Sequence, residues 1–228
     1  MLDTFLHWLG FGLCHQLPER SFFAGGHQLP VCARDTGIYL GFVIALGVMA
    51  LLDRGRRRTG MPPGWVLGIG VVLVGIMGWD GVTSYAGLRG TTNDLRLATG
   101  LGTGFALALV MVPLLNEQLW RRRSDERVLG ASWEVLAWLA ALPLAFVLVR
   151  WGLPALGTAY ALITAAAILV TFTAVNMVLV LLAPSFERRA ERIWDAWPAA
   201  LLGLALTAVE LGITVALRLG LVALVTGR

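Results

Sequence analysis

Two cysteines, two of the three histidines and a carboxylate lie close together near the start of the chain, at Cys14, His15, His27, Cys32 and Asp35. Cys32 and Asp35 are three apart, so a turn or a helix start points both side chains the same way. Cys14 and His15 are adjacent and converge on one point only in irregular backbone. Thiolate, imidazole and carboxylate are ligands that zinc and copper accept. Cys14, His15, Cys32 and Asp35 are therefore a candidate metal site for zinc or copper, with His27 in reserve. The paired Cys-x-x-Cys knuckles of a strong zinc signature are missing. In an oxidising compartment the same two thiols would instead close a Cys14–Cys32 disulfide, worth about 3 kcal/mol in the chain-entropy model. A redox-active pair is a third option. The disulfide leaves His15 and Asp35 unexplained, so the metal site leads.

A second polar cluster runs from Asp80 to Gly100. Asp80 is a supporting partner of the metal site or a further ligand. Arg89 and Arg96, with Asn93 beside them, have the chemistry to hold a phosphate or carboxylate bidentately. Pairing of the two arginines with Asp80 and Asp94, which would pin the loop, is the favoured reading. The glycines at 81, 87 and 90 fit turns and match no phosphate-loop pattern.

The elements that must position these groups are set by composition. Of 228 residues, 57% are hydrophobic and 14% charged, and the mean hydropathy is +0.76. A soluble domain carries about 25% charged residues, so a water-soluble globule and a disordered chain are both excluded. Six runs are long enough to cross about 30 Å of hydrocarbon: residues 36–52, 61–79, 97–115, 128–149, 151–186 and 196–225. The fold expected is all-α, a polytopic integral membrane protein of six transmembrane helices. Residues 1–13 are apolar but short, carry Asp3 and His7, and lack the basic leader and cleavage site of a signal peptide, so a short interfacial helix is expected there. Residues 1–35 then form an extracytoplasmic cap and residues 36–228 the bundle.

The net charge of +4 would suggest nucleic acid in a soluble protein, but every basic residue is Arg and most sit between apolar runs. Counted over alternate segments, the arginines divide eleven against five. Such a bias places the segments rich in arginine (54–58, 121–127 and 188–192) on the inner, cytoplasmic side of a cell membrane and both termini on the outer side. The partners expected are the bilayer and either other membrane proteins or further copies of this chain; nucleic acid is not expected. Trp65, Trp79, Trp120, Trp151, Trp194 and Trp197 fall near the interfaces.

The motif Cys14-His15-Gln16, Arg20-Ser21-Phe22, Leu29-Pro30-x-Cys32-x-Arg34-x-Thr36-Gly37-x-Tyr39-x-Gly41 resembles the signature of the DUF2085 predicted membrane proteins. Asp80-Gly81, Gly87-Leu88-Arg89, Thr92-Asn93, Arg96 and Thr99-Gly100 resemble its second block. The resemblance covers about the first hundred residues. It implies a helical, membrane-embedded fold and brings no established reaction. The family often has cysteine at the position of Asp35; this chain departs there, which weakens both a zinc knuckle and a Cys-x-x-Cys redox motif.

Charges within the apolar runs are costly and need partners. Thr207, Glu210, Thr214 and Arg218 form one stripe at helical spacing, so Arg218 is the expected partner of Glu210, through Thr214 or a water. The stripe would serve either as a proton or cation relay or as a packing hydrogen bond. Glu134 is expected to reach the inner headgroups, or else to clasp Asn176. Gly37, Gly41, Gly100, Gly102 and Gly104 permit close helix approach. The leading function is a metal-binding membrane protein that senses, delivers or transports the ion. A disulfide-stapled accessory subunit is the alternative. An enzyme acting on lipid headgroups, with His15 as base, ranks last because no nucleophile is spaced to work with it.

Overall fold

The computed structural model describes residues 1–226. Six long apolar helices make the chain a multi-pass α-helical membrane protein: α2 (Ala33–Asp53), α3 (Gly64–Tyr85), α4 (Asn93–Leu119), α5 (Ser132–Val147), α6 (Thr158–Leu181) and α7 (Trp197–Thr226). A short helix, α1 (Leu2–Phe11), precedes them, as the sequence suggests. Several helices outrun or fall short of the uncharged runs. α3 continues six residues past Trp79, because Asp80 finds partners and does not end the helix. The run 151–186 begins with a π turn and a 3-10 turn that finish α5, so α6 starts only after Gly157, where φ is +57°.

α4 is the central helix and is the most buried of the six. Its closest partner is α2. Glycines make the approach possible: a Cβ on Gly100 would lie 2.1 Å from the Arg34 carbonyl oxygen, and one on Gly104 would lie 2.3 Å from that of Ile38. Gly37 and Gly41 return the fit against Leu97 and Leu101. Gly102 faces the other way, onto Leu73 of α3. Bilayers lack a hydrophobic drive between helices, so this backbone contact is a main source of cohesion. Gly104→Val is expected to push α2 and α4 apart and to cost about 1–3 kcal/mol or more, read as a lower midpoint of thermal unfolding in detergent.

At the end that carries the arginine-rich loops, β3 (Arg58–Gly60) pairs in parallel with β4 (Ser124–Arg127). Here Glu134 departs from expectation. It is 2% exposed and meets Arg58 through two hydrogen bonds of 2.8 Å, so it neither reaches headgroups nor touches Asn176. At the opposite end, α1 rests on α6 and α7, with Leu6 against Ala161 and Ala165. A small hairpin, β1 (Phe23–Ala24) with β2 (His27–Gln28), follows it.

Candidate metal centre

The cap is folded back on itself by two glutamines. Gln16, at a left-handed φ of 53°, donates to the carbonyls of His7 (3.0 Å) and Pro30 (2.7 Å). Gln28 donates to the Gln16 carbonyl (2.8 Å) and to Ser21 Oγ (3.0 Å). The strand of chain before Cys32 therefore lies against the end of α1. The contact is tight enough that a Cβ on Gly10 would overlap the Pro30 carbonyl oxygen at 1.7 Å. Arg218 of α7 closes the arrangement from outside by donating to the carbonyls of Phe11 and Cys14.

This folding brings Cys14 to the start of α2. The sulfurs of Cys14 and Cys32 and a carboxylate oxygen of Asp35 all lie within 4.8 Å of one another. Cys32 is the N-cap of α2 and Asp35 sits in its first turn, so the three-residue spacing does point both inward. The Cys32 thiol donates to Asp35 Oδ2 at 3.3 Å, and the Cys32 N–H donates to Cys14 Sγ at 3.3 Å. Both cysteines are free thiols, Cys32 buried and Cys14 half-buried. Hydrogen bonding to the Cys32 side chain holds the Cys14 thiol below its ordinary range, against an opposing effect of burial. The same contact, then burial and the Asp35 charge, pushes the Cys32 thiol up. The two thiols are therefore pushed in opposite directions, Cys14 toward the thiolate and Cys32 away from it.

The donors fit a soft divalent or monovalent ion. Zinc–sulfur bonds of about 2.3 Å at a tetrahedral angle put two sulfurs roughly 3.8 Å apart, so small movements would close the site. Three protein donors leave a fourth position for water or an outside ligand.

His15 is not part of this cluster. Its side chain is exposed and lines a separate cavity of about 290 Å³ with Asp3, His7 and Arg218. The backbone reverses at Gln16, and adjacent side chains there diverge. His27 is also elsewhere, with Nδ1 2.6 Å from Asp3. Asp80 is not a ligand either. It is 1% exposed and accepts from Arg34 of α2 at 2.5 Å, from Arg89, and from Thr91 at 3.0 Å. Asp94 pairs with Arg150. Arg96 donates to Asn93 Oδ1 at 2.8 Å, and Asn93 in turn donates to the carbonyl of Glu19 at 3.2 Å.

Within the membrane, Glu210 does not meet Arg218, which is committed to the cap carbonyls. Asn176 of α6 donates to Glu210 at 3.0 Å and to Thr207 at 3.1 Å, so the stripe on α7 is an interhelical hydrogen-bond clasp. Tyr39 of α2 stands within electrostatic reach of Asp35, both cysteines and Glu210. Gln16, Gln28 and Arg34 hold or flank the site, yet nothing in their spacing marks them.

Residues 14–110 match the model of a family described as a predicted membrane protein, DUF2085. An uncharacterized protein of Methanocaldococcus jannaschii is 34% identical over 110 residues, which is 48% of this chain and 68% of that protein. An uncharacterized protein of Methanothermobacter thermautotrophicus is 37% identical over 99 residues, 43% of this chain and 83% of that protein. No solved structure matches. The family match spans the Cys14, Cys32 and Asp35 cluster and the arginines of the second block, while α5, α6 and α7 lie beyond it.

Proposed function

Since the chain belongs to the DUF2085 family of predicted membrane proteins, we propose that it binds a soft transition-metal ion, zinc or copper, at the membrane surface through Cys14, Cys32 and Asp35. The observation that carries this is the convergence of two sulfurs and a carboxylate oxygen within 4.8 Å. Sulfur selects soft ions, and the open fourth position suits exchange of the ion with an outside donor or acceptor. Sensing or delivery fits this better than transport, since among the described residues the bundle interior beyond the cluster carries threonine hydroxyls and the Asn176–Glu210 clasp but no further group of His, Cys, Asp and Glu able to hold an ion. We place the site on the extracytoplasmic face of the cell membrane, because the opposite ends of the helices carry the arginine-rich loops.

Elemental analysis of detergent-purified protein, paired with intact mass after thiol alkylation, tests this. The expected result is near-stoichiometric zinc or copper, with two alkylatable thiols once the metal is stripped. Cys14→Ser and Cys32→Ser are each expected to abolish the bound metal. His15→Ala should retain it, because His15 lies in a different cavity. A mass about two units below that of the reduced chain, with no metal, would instead mean a disulfide. The accessory-subunit reading would then take its place.

A further inference from the structure

Among the described residues three arginines are buried: Arg34, Arg58 and Arg96. Arg34 has Asp80 and Arg58 has Glu134, each a carboxylate that is itself buried. Arg96, at 8% exposure, has no carboxylate within 4.0 Å among the described residues, and its one side-chain partner is the neutral Asn93. A buried guanidinium cannot shed its proton, so an uncompensated one is costly unless a counter-charge arrives from outside.

Its surroundings make the imbalance larger. The backbone of residues 19–21 docks on Asn93, which brings Arg20 beside Arg96. Arg20 has no carboxylate partner among the described residues either, and its guanidinium stands 5.0 Å from the ring of Tyr85. On the same face of α4, one turn further in, Gly100 touches the Arg34 backbone. Arg20 and Arg34 act on Arg96 as like charges, against a smaller opposing effect of Cys32 and Asp80. Asp80 is already shared between Arg34 and Arg89. The positive end of the α4 dipole adds to the same field.

We propose that Arg96 and Arg20, with Asn93 positioning the first of them, hold a tetrahedral oxyanion of the phosphate type beside the thiol cluster. The planar fork of arginine matches two oxygens of such a group, while Asn93, which donates to the carbonyls of Glu19 and Ser21, holds the Arg96 side chain in place through its Oδ1. The ligand is either a free phosphate-like ion or the phosphate of a lipid headgroup, since Tyr85, beneath the Arg20 guanidinium, is exposed. The site stands independently of the metal reading.

The test uses the full chain. Binding of inorganic phosphate is measured in detergent by native mass spectrometry and thermal unfolding. Binding of phosphatidylglycerol is measured in phosphatidylcholine bilayers that contain or lack it. Wild type should respond to at least one. Arg96→Gln should weaken that binding about tenfold or more, and Arg20→Gln about two- to fivefold. Metal content should be unchanged in both variants. A response to inorganic phosphate identifies a soluble ion, and a response to phosphatidylglycerol alone identifies a headgroup. Arg20→Gln, at a half-buried position, keeps the test open if Arg96→Gln does not fold. The proposal falls if wild type responds to neither probe, or if the folded variants bind as wild type does.

Discussion

Asp80→Ala is expected to be among the most damaging single changes in the chain, lowering stability by about 3–5 kcal/mol. The carboxylate accepts from two arginines and one hydroxyl while almost wholly removed from solvent. Arg34 comes from the start of α2, Asp80 from the end of α3, and Arg89 and Thr91 from the loop before α4. One side chain therefore joins the three helices that form the matched half of the molecule. Truncation leaves the buried Arg34 guanidinium without a counter-charge, next to Arg96, which already lacks one. Arg89, about 40% exposed, can turn to water and adds less. Asp80→Asn keeps the shape and some of the hydrogen bonds, so a smaller loss, roughly 2 kcal/mol, is expected. In a chain of this size the alanine variant should lower the thermal midpoint by roughly 10 °C, measured in detergent. A shift of a degree or two would mean that Asp80 is not the keystone of this end.

The ladder of helices is legible because the bilayer imposes a length on uncharged runs, and six such runs are plain. Helix ends are less so. The apolar rule stops at the first charge, whereas α3 carries Asp80 as an internal residue because Arg34 and Arg89 neutralise it. Glycine contacts between α2 and α4 follow from residue size, and Gly37, Gly41, Gly100 and Gly104 all lie at that crossing. At the candidate site, Cys32 and Asp35 are legible from helical spacing. Cys14 enters by residue type alone, since its approach depends on Gln16 and Gln28 bonding to backbone carbonyls. Those contacts leave no periodic mark, and the same reversal at Gln16 sends His15 away. Arg34 reads in sequence as one more orienting charge, because its partner is 46 positions distant. Arg89 and Arg96 look alike in sequence, yet only the first finds a carboxylate, since Asp94 is taken by Arg150.

At the other end of the bundle, Glu134→Ala should be comparably severe, about 3–5 kcal/mol, while Arg58→Ala is expected to cost less. The two side chains meet fork to fork, at 2.8 Å on each arm, with Glu134 also accepting from the Ala131 N–H at 3.3 Å. Their partnership joins β3 to the start of α5 across 76 positions. Removing the glutamate strands a guanidinium that is 4% exposed and cannot be neutralised by losing a proton. Asp53 at 3.7 Å and Glu126 at 3.4 Å would compensate it only partly, because both approach Nε without hydrogen-bonding it, neither meets the two arms left by Glu134, and Glu126 is largely exposed and screened. Removing the arginine instead leaves a carboxyl that can take up a proton and become neutral. The asymmetry separates a charge-pair role from simple packing, which would make the two truncations comparable. The double variant Arg58→Met, Glu134→Leu supplies the decisive comparison. Well-packed apolar replacements of a buried pair are often neutral or stabilising, so it should unfold close to wild type in detergent despite lacking both charges. If the double variant is instead as unstable as Glu134→Ala, the pair contributes through its specific geometry in joining β3 to α5, and its charge balance is secondary.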